Sequence, residues 1–140
     1  MSTQVDLCES IFNVLDSTAA ITTAFGHTGW LWQGLGPPGT PLPYATLVAV
    51  GGGVDQESGG WFEDREIQLG TFASDRKQAR SLGRQAAAAL EAATITYSES
   101  NHLYLRRDGP GIDQLDPEKG PNGEDVWQHI LTFKAISGSP

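Results

Sequence analysis

Arg76, Arg80 and Arg84 recur every four residues, with Lys77 beside them. On a helix this spacing stacks like charges on one flank, where each pair repels by about 0.2–0.5 kcal/mol. The helix gains nothing from such a row by itself. It reads either as a solvated face or as a surface that receives carboxylates. Carboxylates follow in residues 108–125 (DGPGIDQLDPEKGPNGED), where Asp108, Asp113, Asp116, Glu118, Glu124 and Asp125 stand against Lys119. The interface reading sets the Arg76/Arg80/Arg84 flank of one subunit against Asp113, Asp116 and Glu118 of the next. Exposed ion pairs contribute only about 0–1 kcal/mol each, so the charges would set register and partner choice, with apolar contacts supplying most of the affinity.

The other chemistry-bearing residues do not assemble into a reaction centre. Gly51-Gly52-Gly53 follows an apolar run, as phosphate-binding loops do, but no Lys-Ser/Thr pair comes after it and a charged strand pattern is next. His27, His102 and His129 are too scattered for metal-ligand spacing. A calcium loop framed from Glu118 places Gly123 correctly but puts His129 where the last ligand, a glutamate, belongs, and Pro121 interrupts it. Glu63-Asp64 and Glu124-Asp125 are adjacent, and neighbours on a strand point to opposite faces. No nucleophile signature is present. The expectation is no catalytic residue, no cofactor and no metal. Cys8, the single cysteine, lies among Val5, Ile11, Phe12 and Leu15 and reads as a buried, inert thiol.

Trp30, Trp32 and Trp61 sit beside glycine-rich stretches, where burial in one small domain is harder. They suit either core packing or subunit contact, whereas Trp127, with His129, Leu131 and Phe133, alternates against Gln128, Thr132 and Lys134 as a core residue does. The tip from Gly51 to Gly60, with Asp55 and Glu57, is too polar and too rich in glycine to order itself. It is expected to face a channel or a neighbouring subunit.

These residues need elements to hold them. Apolar residues at 5, 8, 11, 12 and 15 mark an amphipathic helix, and a short helical turn through Ile21 to Phe25 closes at Gly26. After turn-rich residues 26–43, Tyr44–Val50 reads as a strand covered on both faces and ended by the glycines. Trp30-Leu31-Trp32 reads as a short edge strand and Trp61–Phe72 as a longer one. Ser74 is a candidate cap for a helix running to about Ala93, whose buried face is Ala79, Leu82, Gly83, Ala86, Leu90 and Ala93. A strand follows at Thr94–Tyr97 or at His102–Arg107, then the acidic loop, then a last strand over Val126–Ile136. The sum is an α+β fold: a mostly antiparallel sheet of four to five strands with two main helices packed on one face, in a single domain spanning 1–140.

A chain of 140 residues with a formal charge of −8, from 17 acidic and 9 basic side chains, has no use for a nucleic-acid backbone or an anionic membrane surface. No apolar run approaches the roughly 18 residues of a membrane span. The N-terminal sequence has neither the basic start nor the apolar stretch of a signal peptide, which points to a cytoplasmic site of synthesis.

The order of segments has a further meaning. An N-terminal helix, a helical turn ending Phe25-Gly26, the sequence Pro41-Leu42-Pro43-Tyr44 leading straight into an apolar strand, a charged strand ending Gly70-Thr71-Phe72, an Ala-rich helix and a final strand after an acidic loop resemble the tail-terminator, or tail-completion, proteins of long-tailed bacteriophages. The resemblance spans nearly the whole chain. It implies a structural virion protein assembled in the host cytoplasm: a ring, usually hexameric, that caps the tail tube and meets a head-side neck or stopper protein, with DNA passing through unbound. Another ring-forming tail, neck or secretion-tube component, or a small enzyme or ligand-binding domain, are the alternatives.

Overall fold

In a computed structural model, the structure describes residues 3–34, 36, 39–54, 62–93, 95–98 and 101–138. These form three helices, α1 (Thr3–Asp16), α2 (Ala19–Phe25) and α3 (Arg76–Ala92). They also form seven strands, β1 (Leu31–Gln33), β2 (Tyr44–Val54), β3 (Phe62–Ala73), β4 (Ile95–Ser98), β5 (Asn101–Arg107), β6 (Ile112–Leu115) and β7 (Trp127–Gly138). The sheet runs β1-β2-β3-β7-β5-β4, with β6 paired to β7 beside β5. Among the described residues only the β1–β2 pair is parallel. The α+β class and the mostly antiparallel sheet are as the sequence implies, with more strands than the four or five expected.

The alternation along β2, β3 and β7 explains the layering. Ala45, Leu47, Ile67, Leu69, Leu131 and Phe133 occupy every second position and share one face. Over that face lie Ile11 and Leu15 of α1, Ile21 and Phe25 of α2, and Leu82, Ala86, Ala87 and Leu90 of α3, in one buried cluster. Burying large apolar side chains at about 1.5–3 kcal/mol each is what holds helices to sheet. The small face of α3 lets it lie close, as its sequence suggests. Its cap is Asp75 rather than Ser74: the Asp75 carboxylate accepts from the Gln78 N–H at 3.1 Å. Being charged, Asp75 also complements the positive end of the helix.

Three other expectations change. The strand from Tyr44 does not stop at the glycines but continues to Val54, with a register shift against β3 between Val50 and Gly53. It is not covered by helices on both faces. Its second face carries Tyr44, Thr46 and the half-buried Val48, partly closed by the Tyr44–Phe72 stack at 4.6 Å between ring centroids. Both alternatives for the strand after α3 form, as the β4–β5 pair. The Cys8 side chain, Trp61, Asp55, Glu57 and the rest of the 55–60 tip lie outside the described residues.

The 108–125 segment departs most from its reading as a loop. Its first part is β6, antiparallel to the start of β7, with Ile112 opposite Ile130 and Leu115 opposite Trp127. β5 pairs with the other end of β7, and the Asp108 N–H donates to the Thr132 carbonyl between them. Thus β5 and β6 follow one another along the same side of β7, interrupted at Asp108–Gly111, and β7 is flanked along nearly its whole length.

Candidate assembly surface

Asp113 is placed by register. It stands directly across from His129, so both side chains point to the helix side of the sheet. Above them the first two turns of α3 bring down Arg76 and Arg80, one helical turn apart. Arg80 donates to Asp113 Oδ2 through Nε at 3.1 Å and through Nη2, and Arg76 Nε donates to the same oxygen at 3.2 Å. His129 Nδ1 meets the other oxygen, Oδ1, at 2.5 Å. The Arg80 hydrogen bonds, reinforced by those of His129 and Arg76, hold the Asp113 carboxyl well below the usual carboxylate range against the opposing effect of burial. An ionised carboxylate only accepts, so His129 Nδ1 carries the hydrogen.

Two glycines make room for this imidazole, which is only 3% exposed. A Cβ at Gly83, on α3, would come within 2.8 Å of His129 Cδ2 and 3.0 Å of Thr71 Oγ1. A Cβ at Gly111, whose φ of +91° already favours glycine, would lie 2.8 Å from both His129 Cε1 and Leu131 Cδ2. The ring is therefore held between helix and sheet edge, with Nε2 buried and lacking a hydrogen-bond partner among the described residues. With both carboxylate oxygens occupied and the imidazole enclosed, the arrangement is a clamp that fastens β6 to α3. It leaves no open position for a reacting molecule.

The sequence reading pairs Arg76, Arg80 and Asp113 across two subunits; the structure pairs them inside one chain. The reason is β6, which turns an apparent loop residue into a sheet residue under α3. The remaining acids of 108–125 divide clearly. Asp116 accepts from the Glu118 N–H, Glu124 from the Asn122 N–H, and Asp125 pairs with Lys119. Asp108 and Glu118 keep carboxylates with no ion pair among the described residues, as Arg84 and Lys77 keep their cations. Lys77 and Arg84 line an open groove on the outer face of α3 with Arg80, Ser81, Gln85 and Ala88, about 490 Å³ in volume.

The tryptophans also separate. Trp30 belongs to the core of its own chain rather than to a subunit contact: it is 1% exposed, stacks on Phe25 at 4.2 Å and donates from Nε1 to Thr22 Oγ1 at 3.2 Å. Trp32, two positions on, is half-buried and lies across from Thr46 on the side of the sheet away from the helices. Trp127 is half-buried too, with the Arg76 guanidinium carbon 6.0 Å from its ring centre.

A residue-only reading misses His129 as Asp113's partner, and the exposed Ile112 and Leu115 on β6. Alternation of Ile112 and Gln114 against Asp113 and Leu115 is the one available signal, and four residues give it little weight. A second concavity, about 300 Å³, lies between the 36–44 and 116–126 segments, with Tyr44 in its wall. Burial, and then the nearby Asp116 and Glu118, push the Tyr44 phenol up from its ordinary value. Among the described residues no group of three or more His, Cys, Asp or Glu side chains is arranged to hold a metal ion, and no helix is long and apolar enough to cross a membrane.

The family model described as Tail completion protein gp17 matches residues 9–136, from the middle of α1 into the end of β7. This chain belongs to that family. No curated protein matches the sequence. Among solved structures, a chain from the virion of a native gene transfer agent particle shares the fold, with a TM-score of 0.65 at 16% identity over 95% of each chain. Membership of the tail-completion family agrees with the likeness read from the sequence and supports a structural role in a phage tail.

Proposed function

We propose that the chain closes into a homomeric ring, six-fold as the family resemblance implies, that caps the finished tail tube and joins it to the head-side neck. The observation that carries this reading is the match to the tail-completion family across all but the ends of the chain. The fold shared end to end with a chain of a virion particle supports it. On this reading the partners are further copies of the chain, the tail tube protein on one side and a neck or stopper protein on the other. The protein is assembled in the host cytoplasm and carried in the virion, and it performs no catalysis.

Charge supports a conduit. Six copies at −8 each carry −48, and a wall of that sign repels passing DNA instead of holding it. Contacts between unlike surfaces generate a closed ring when the rotation closes.

The test is where the protein sits. Purified particles labelled against the chain should show it at the head-proximal end of the tail, and images should show a ring there. Label at the distal end would move the assignment to another tail component on the same scaffold. Absence from particles, or turnover of a small molecule abolished by one polar substitution, would overturn the structural assignment.

A further inference from the structure

We propose that the outer groove of α3, with Arg84 and Lys77 as its free cations, is a docking surface for the 116–125 loop of a second copy, with Glu118 the carboxylate that enters it. This rests on the self-assembly proposed above and names the two surfaces that would meet. The argument is one of elimination and preorganisation. Four basic side chains crowd this flank of an otherwise acidic molecule. Asp113 of the same chain engages Arg76 and Arg80, which leaves Lys77 and Arg84 exposed and without an ion pair among the described residues. Like charges so close on one helix are unfavourable until a partner neutralises them.

The complementary group is narrowed the same way. Asp116, Glu124 and Asp125 are engaged within their own loop, whereas Glu118 is exposed and makes no ion pair among the described residues; Asp108, equally without an ion pair there, lies before β6 and outside this loop. Those local bonds matter for binding as well as for shape. The Asp116 cap on the Glu118 N–H, the Gly123 N–H donating to the Gly120 carbonyl at 3.0 Å and the Lys119–Asp125 pair hold the loop in one form. A preformed loop loses little conformational freedom on docking. The groove and the loop are different surfaces, so their contact is head-to-tail and repeats from copy to copy. The Asp113 clamp adds a structural reason for register: it fixes β6, from which the loop springs, to the helix that carries the groove.

Charge exchange tests the pair. Arg84→Glu and Glu118→Lys, each checked for native folding by circular dichroism, should each weaken self-association of the full chain by about tenfold at low ionic strength. The double variant should recover most of the loss. Near 1 M salt, where screening acts over about 3 Å, the differences should shrink. A zero-length carbodiimide cross-link between Lys77 of one copy and Glu118 of another should form in solution rings or in assembled particles. If rings form and neither single variant changes them, this pairing is wrong while the ring stands. If Arg84→Glu weakens assembly and Glu118→Lys does not, the groove binds a different acidic surface and the proposed occupant is wrong. If the chain self-associates neither in solution nor on particles, the ring reading and this pairing fail together.

Discussion

Removing Asp113 should reveal how much the clamp contributes. In Asp113→Ala the His129 Nδ1–H, buried beneath α3 beside an Nε2 that already lacks a partner, becomes a stranded donor. An unsatisfied buried donor costs about 1–3 kcal/mol. Arg80, 38% exposed, and Arg76, 58% exposed, can turn to water, so their loss is nearer the exposed ion-pair range of about 0–1 kcal/mol each. The total is about 1–5 kcal/mol. For a domain of this length that lowers the melting temperature by about 3–17 °C. Urea titration followed by circular dichroism measures it. The pH dependence gives a second, independent sign. Because the folded Asp113 carboxyl is held below its ordinary value of 3.8, its ionisation stabilises the fold fully above that value. The contribution is lost progressively as the pH falls toward the lower, folded value. At pH 3 the gap between wild type and Asp113→Ala should therefore be about 1 kcal/mol narrower than at pH 7. A variant within 0.5 kcal/mol of wild type at pH 7, or a gap that does not narrow at pH 3, would refute the clamp as a source of stability.

Two further substitutions test the packing around it. Gly83→Ala should destabilise by about 1–3 kcal/mol in thermal melts, although alanine favours helix by about 1 kcal/mol, because its methyl would press on His129 and Thr71; a stabilised variant would show that α3 lifts freely. Trp30→Ala should cost about 3–5 kcal/mol in unfolding of the isolated chain, and a change seen only in assembly would return this residue to the subunit contact.

How much was legible in the sequence follows from range. The amphipathic helices and the alternation over 127–133 are local patterns, and they specify which faces meet. The arginine row was equally visible, as was the acidity of 108–125, but their pairing depends on register between β6 and β7, separated by the whole acidic turn. Nothing near Asp113 marks it as different from Asp116, yet one faces His129 and the other caps a turn. Trp30 and Trp32 illustrate the same limit. Two residues apart, they should share a face if both lay in a strand. Because the strand begins only at Leu31, Trp30 instead reaches the core.

The long final strand has a mechanical consequence. At about 3.4 Å per residue, the 12 residues of β7 extend about 40 Å. β3 is laced along one side and β5 and β6 in turn along the other. A pull along β7 meets both rows of hydrogen bonds side by side, so they share the load and yield together. A pull across it would open them singly, like a zip. The domain is stiff along one axis and weak across it.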